Sequence, residues 1–520
     1  MHVAGKQTFT GTSDDVLHRL LQRALAALFL LLVFQGFTHA RDQTDFLLIV
    51  LSLIGFIILC IPVFIRQTYQ VFEPYSLALA IFLMGYSVKL VYIVSAENRS
   101  YIDEIMLGRS LDFLVKPALI LMVGFIFLVV GYLIKHPSRR LKRTSLLKSR
   151  GWRSGRLFQL AFLLFGCSIV FFFIYAKQVG IDFSNLASLS TKRFVETDGA
   201  PMARDTKFYF KWVASWSRPA FYLLLTWWLT GPSKASRTIL IPLLAATGFM
   251  ALFLPFTTSS RTPMVFFILD VIIISYYLRL DRRIWQFMLR TAGVAGAGLF
   301  LFILVFALRA NREDTFRLNL SIDDVLSHVV GAPYLADITK TAHIMEAVPQ
   351  EIPRQYGKSY LTVIFAPIPR SMWPEKPSIG MGPMIGERVY GRTRSGIPPG
   401  FAAEAYINFS ILGVWLSFFL FGFGIKAVYA RLAPYLHTRN GILLYVAFLR
   451  IPVVVIGMDF TVALVQFLLE MVPMVLFLYY ISLNSEGRGF SIWHRDQTTR
   501  RRGAPASLPP AALPSTNARP

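Results

Sequence analysis

FLLIVLSLIGFIILCIPVFI, residues Phe46 to Ile65, carries no formal charge. A helix of about 20 residues is about 30 Å long, which matches the hydrocarbon core of a bilayer. Inside hydrocarbon every backbone N–H and C=O must be satisfied within the segment, and a helix does this. The stretch therefore reads as a transmembrane helix. Similar apolar runs recur along the chain: Ala24–Phe37, Tyr75–Val94, Pro117–Ile134, Leu157–Ala176, Val213–Leu229, Ile239–Phe256, Met264–Leu280, Ala292–Leu308, Ala405–Lys426, Ile442–Met458 and Val462–Ser482. The shorter runs are completed by flanking residues, or by Arg and Lys that snorkel to the interface. The expected fold is all-α: a polytopic integral membrane protein of about 12 transmembrane helices.

Composition agrees. Of 520 residues, 55% are hydrophobic and only 16% charged, at a mean hydropathy of +0.53; a soluble chain carries about 25% charged residues. The net charge of +24 comes from 53 Lys and Arg against 29 Asp and Glu. In a soluble protein that balance would suggest nucleic acid. In a membrane protein it reflects basic cytoplasmic loops and contact with anionic lipid, so membrane lipid is expected as a partner and nucleic acid is not. Cys60 and Cys167 lie inside apolar runs and read as small core residues, with no disulfide framework or metal site. Arg19 and Arg23 precede the first run without a small-residue cleavage pattern, which reads as a signal anchor.

Loop charge sets the expected orientation. KHPSRRLKRTSLLKSRGWRSGR, Lys135–Arg156, holds nine Lys and Arg and no acid, which places it in the cytoplasm. Alternation then puts both termini inside, together with GPSKASRT, RLDRRIWQFMLR and KAVYARLAPYLHTRN, all net positive. Two long loops fall outside, near 177–212 and 309–404. The second has eleven Lys and Arg against ten Asp and Glu, and a loop of that length translocates regardless of charge. Residues 1–308 thus hold nine helices, 309–404 a large outer loop of short helices, 405–482 three more helices, and 483–520 a disordered basic cytoplasmic tail.

The outer side carries a set of arginines near span ends: Arg193 in STKRF, Arg261 in TTSSRTP, Arg309 and Arg312 in ALRANRED, and Arg370 in IPRSMWPEKP, with Lys376 in the same segment. A guanidinium is always charged and presents a planar fork that suits phosphate. Singly, each could snorkel to lipid headgroups; as a set they point to an anion site, with a lipid pyrophosphate as the natural ligand. The prolines of IPRSMWPEKP rule out an ordinary helix and make a stiff loop. Glu404 stands where this loop enters a span. It is either a helix-start carboxylate favoured by the helix dipole, or a desolvated general base. His343 is either a helix-surface histidine or a reserve base. SIDDVLSHVV, with His328, reads as a capping box from Ser321 to Asp324 rather than a metal pair. No HExxH, phosphate-binding loop, dinucleotide fingerprint or Cys/His metal spacing occurs, so no cofactor or metal is expected. Within the spans, Lys89, Asp270, Arg450 and Glu470 are ionisable; Lys89 and Asp270 could equally lie near span ends, whereas Arg450 is deeper and needs a partner or a polar cavity, and Glu470 is a plausible partner for a proton-coupled carrier.

The stretch Gly357–Gly424 resembles the signature region of the bacterial O-antigen and exopolysaccharide repeat-unit polymerases, the Wzy-type enzymes. The matching elements are GKSYLTVIFAPIPRSMWPEKP and PPGFAAEAYINFSILGVW. Arg370, Trp373, Pro374, Lys376, Pro377, Glu404, Tyr406, Asn408 and Phe409 fall on the family's pattern, while Ser410 stands where a glycine is expected. The resemblance implies a GT-C-like helical membrane enzyme in the bacterial inner membrane. It would transfer a growing glycan from undecaprenyl pyrophosphate to a sugar hydroxyl of the next lipid-linked repeat unit, at the periplasmic face. It also suggests a chain-length regulator as a partner. On that reading Glu404 is the first candidate base and His343 the second. The arginines and Lys376 bind pyrophosphate, and Trp373 and Tyr406 stack on sugars or pack the loop. The alternatives are an O-antigen ligase using the same donor, and a flippase or proton-coupled exporter; the chain shows no convincing internal repeat of the kind carriers have.

Overall fold

The computed structural model describes residues 11–67, 69–96, 102, 105–135, 147, 151–179, 209–231, 234–257, 261–279, 330, 337–366, 368, 372–373, 375–392 and 396–482; for 11–14, 234–236 and 261 only the backbone is described. These residues form helices joined by turns. They are α1 (Gly11–His39), α2 (Gln43–Ile65), α3 (Pro74–Ser95), α4 (Val115–Leu133), α5 (Ser154–Val179), α6 (Ser217–Leu229), α7 (Lys234–Thr257), α8 (Arg261–Arg279), α9 (Ile338–Ala347), α10 (Gly382–Tyr390), α11 (Phe401–Leu432), α12 (Arg439–Gly457) and α13 (Phe460–Ser482). Among them nine are long and apolar enough to cross a membrane; α8 contains a shorter apolar stretch, Thr262–Leu278. The expected run Ala292–Leu308 and the segment with Asp323, Asp324 and His328 lie outside the described residues.

Local chemistry explains the boundaries. Asp42 accepts a hydrogen bond from the Asp45 amide (2.8 Å) and so caps α2. Pro74 opens α3, where a missing N–H costs nothing. α3 contains a π-helical stretch, Leu83–Val88, and there Ser52 and Ser87 each donate to the other's carbonyl (2.9 and 3.1 Å). The expected span Val213–Leu229 is interrupted by a turn at Ser215–Trp216, where Ser215 Oγ donates to the Trp212 carbonyl (2.6 Å). α6 therefore begins late, at Ser217.

α4 and α11 cross closely through glycines. A Cβ on Gly131 would lie 2.3 Å from the Phe419 carbonyl oxygen, and one on Gly422 would lie 2.2 Å from that of Leu128. Small residues allow such contact, and close packing replaces the hydrophobic drive that is absent between helices in lipid. Beside the crossing, Phe82, Phe125 and Phe418 form one aromatic cluster.

The helix ends sort into two sets. At one end, His18 meets the Val63 carbonyl (2.7 Å), Arg66 pairs with Glu73 (2.6 Å), Gln70 accepts from Tyr429 (2.6 Å), and Trp152 donates to Asn440 (2.7 Å). At the opposite end Lys89 pairs with Asp337 (2.8 Å), and the start of α11 meets the start of α13.

α11 spans 32 residues, too long to lie straight within about 30 Å of hydrocarbon. It is broken at Phe409 and Ser410, where Ser410 takes φ 59° and ψ −151°. That region is essentially glycine's, which is the physical reason a glycine is expected after Asn-Phe. Holding serine there costs about 1–3 kcal/mol. Ser410→Gly should therefore raise the melting temperature in detergent without altering helix content; an unchanged or lower value would show that the bend is not strained.

Candidate functional site

The first half of α11 presents Glu404 and, one turn later, Asn408. Both are buried, Glu404 at 1% exposure. Gly357, at φ +86°, turns the chain into the short segment Lys358–Leu361, and this segment docks on Asn408. Asn408 accepts from the Gly357 amide (2.7 Å) and donates to Ser359 Oγ (2.8 Å) and to the Glu404 carbonyl (2.9 Å). Ser359 in turn donates to Glu404 Oε1 (2.9 Å), and the backbone amide of Phe460, the first residue of α13, donates to Oε2 (2.6 Å). Thr461 and Thr362 both donate to the Ser359 carbonyl (2.8 and 2.6 Å). Two distant segments, 357–362 and the start of α13, thus converge on one carboxylate of α11.

Neither of these partners of Glu404 is a cation. A buried carboxylate needs compensation, and here it comes from two neutral donors, one of them at the positive end of the α13 dipole. This arrangement fixes the carboxylate in place and leaves it able to accept a proton, as a general base must.

Behind it lie charges that sequence reading missed. Asp459, 3% exposed, sits in the turn between α12 and α13, and its Oδ2 accepts from the Met381 amide (3.0 Å). Burial raises its pKa to about 6. Asp337 caps α9 through the Thr339 amide (2.9 Å) and pairs with Lys89 of α3, both side chains being buried. Lys340 of α9 is buried beside them, and burial lowers its pKa to about 8. The pairing of Lys89 with Asp337 of the long segment is visible only in three dimensions.

The other expected site residues are placed as follows. His343 is buried on α9; its Nε2 lies 3.1 Å from the Ile105 carbonyl and its ring packs on Phe113 and Tyr390. Burial lowers its pKa from the ordinary histidine value, which disfavours the charged ring. No described hydrogen bond or ring contact joins it to Glu404. Lys376 is 4% exposed and donates to the carbonyls of Ala366 (3.2 Å) and Ile368 (2.8 Å), which closes the proline-rich loop on itself. Trp373 is half-buried and meets Phe365 edge-on at 5.4 Å. Tyr406 is buried beneath the Arg354 guanidinium, at 6.0 Å. Arg193, Arg309, Arg312 and Arg370 lie outside the described residues, and for Arg261, the first residue of α8, only the backbone is described.

A second ionic cluster lies within the helices. Arg450 of α12 donates to Asp270 of α8, to Glu470 of α13 (3.1 Å) and to the Tyr222 hydroxyl of α6 (2.8 Å), and Tyr222 donates to Asp270 (2.6 Å). The Arg450–Glu470 pairing is as expected from the sequence. Asp270 is the larger finding: it is wholly buried in the middle of α8 rather than at a span end.

These features define an all-helical, multi-pass membrane protein with a buried carboxylate site where a long inter-helix segment folds back onto helix ends. A family model described as O-antigen polysaccharide polymerase Wzy matches residues 23–368 of the 520. The chain belongs to that family, and so to the membrane polymerases that act on lipid-linked oligosaccharide repeat units. No curated protein and no solved structure matches it. The matched range shares only residues 357–368 with the stretch Gly357–Gly424, so Glu404, Tyr406, Trp373 and Lys376 lie beyond it.

Proposed function

We propose that this protein elongates a glycan at the periplasmic face of the inner membrane, with Glu404 as the general base. The acceptor hydroxyl of the incoming lipid-linked repeat unit attacks the anomeric carbon of the growing chain. The bond from that carbon to polyprenyl pyrophosphate breaks, the pyrophosphate leaves with the electron pair, and the hydroxyl proton passes to Glu404. The observation that carries this reading is the buried Glu404 carboxylate, held by the Ser359 hydroxyl and the Phe460 amide without a cationic partner among them. The leaving pyrophosphate needs positive charge rather than a proton; Arg193, Arg261, Arg309, Arg312 and Arg370 are the groups assigned to it. Half-buried Trp373 offers a ring face for sugar stacking.

Purified protein given the lipid-linked repeat unit extracted from a host lacking this chain should build a ladder of longer glycans, with chelator present and nucleotide sugars absent. Failure to build the ladder under these conditions overturns the donor assignment. Deletion in the native host should leave single-repeat glycan on a gel; loss of all glycan-capped core would point to a ligase, and accumulation of unit on the cytoplasmic leaflet to a transporter.

A further inference from the structure

Glu404 does not stand alone at the α13 turn. The preceding residue of the turn, Asp459, is also a buried carboxylate, and its charge acts on Glu404. Asp459 opens α13, where an aspartate ordinarily caps its own helix. Here it does not. Its Oδ2 reaches across to the Met381 amide, and its Oδ1 is buried with no hydrogen-bond partner among the described residues. The Phe460 amide, at the start of the same helix, is taken by Glu404. The approach to Asp459 is close: a Cβ on Gly380 would lie 2.5 Å from Oδ2, so a larger residue there would have to push the carboxylate aside. Gly380 and Met381 follow directly on the proline-rich loop that Lys376 closes.

We propose that Asp459 is a positioning residue for Glu404: its carboxylate ties the Gly380–Met381 backbone to the turn that supplies the Phe460 amide, and it sets a second negative charge beside the base. The inference rests on Glu404 acting as the base. The charged and titratable groups around the pair come from every element packed there. Lys340 of α9 faces Asp459, Asp337 and Lys89 face Lys340 and pair with each other, and Tyr360 faces Glu404 from the 357–362 segment. Asp459 is more than half ionised above pH 6, since burial has moved its pKa to about 6. A like charge beside a base makes it hold a proton more tightly, and so strengthens it.

Asp459→Asn keeps the shape and an acceptor for Met381 but removes the charge. The acid limb of the kcat–pH profile for elongation should move to lower pH by about 1 unit. The plateau rate should fall, with KM for the extracted lipid-linked unit unchanged. Gly380→Ala tests the tether alone: it displaces the carboxylate but leaves its charge, so kcat should fall while the acid limb stays in place. A folded Asp459→Asn protein with a wild-type pH profile overturns the charge role, and Gly380→Ala with wild-type kcat overturns the tether. If Asp459→Asn does not fold, Asp459→Ser tests the charge role in its place by the same shift of the acid limb, and Gly380→Ala still decides the tether. Glu404→Gln separates the two levels: full activity in that variant removes the base and the inference with it, whereas its inactivity alongside a wild-type profile in Asp459→Asn removes only the inference.

Discussion

Glu404→Gln should abolish glycan elongation while leaving the helices assembled. Glutamine keeps the shape of the side chain: its one carbonyl oxygen can accept from the Phe460 amide while its NH2 donates to Ser359 Oγ, but it cannot take a proton from a sugar hydroxyl. General-base catalysis contributes about 10²- to 10⁴-fold to rate, so elongation should fall by about that factor. The measurement is the rate of the first elongation step, read beside the melting temperature and size-exclusion profile in detergent. An intact variant that elongates at the wild-type rate removes Glu404 from the reaction. Glu404→Ala is a poorer test, because it leaves the buried Ser359 hydroxyl and Phe460 amide without an acceptor and confounds chemistry with packing.

Arg450→Ala should have the largest effect on stability. Its guanidinium is the shared partner of Asp270 and Glu470 and holds Tyr222, joining α6, α8, α12 and α13. Its removal strands Asp270, a wholly buried carboxylate, and leaves Glu470 with only the 4.0 Å contact to Arg218. Breaking a buried ion pair from one side costs about 3–5 kcal/mol. The variant should melt lower and lose monodispersity in detergent. Arg450→Lys should recover little, since an ammonium cannot serve these partners with the geometry of a guanidinium fork. Replacing Arg450 and Asp270 together by apolar residues should recover more than either single change, because Asp270 is then no longer stranded and Glu470 keeps Arg218. A wild-type melting curve for Arg450→Ala would mean that the cluster contributes nothing to assembly. The same cluster bears on the carrier alternative: Arg450 is fully engaged as a clamp between helices, the role a structural ion network plays.

The helices were legible because a membrane imposes a simple rule. Long runs that are almost wholly apolar must be helical there, and the runs at Phe46–Ile65 and, despite Arg450, Ile442–Met458 appear as α2 and α12 with small shifts at their ends. Two features escaped. The break at Ser215–Trp216 is signalled only by Pro219, which has no N–H to bond the Ser215 carbonyl, and the apolar run outweighs it in a reading by hydropathy. The π-helical stretch in α3 depends on packing against Ser52, a partner thirty-five residues away. At the site, Glu404 and Asn408 stood out because they fell on a family pattern at helical spacing. Ser359, Asp459, Lys340 and Asp337 did not, since each is an ordinary polar residue whose importance lies in what folds against it.

The sequence by itself determined that this chain is a bundle of membrane helices, and the resemblance it carries pointed to the polymerase family that the match over residues 23–368 establishes. Both follow from local information: hydrophobic length, loop charge and short motifs. Only the tertiary structure decided that Glu404 meets the Phe460 amide, that Lys376 closes its own loop, and that Lys89 is buried against Asp337. Burial turns a polar side chain into a constrained one, because each unmet hydrogen bond or charge is costly there. Which group becomes buried, and against what, depends on segments tens to hundreds of residues apart, so no reading along the chain could supply it.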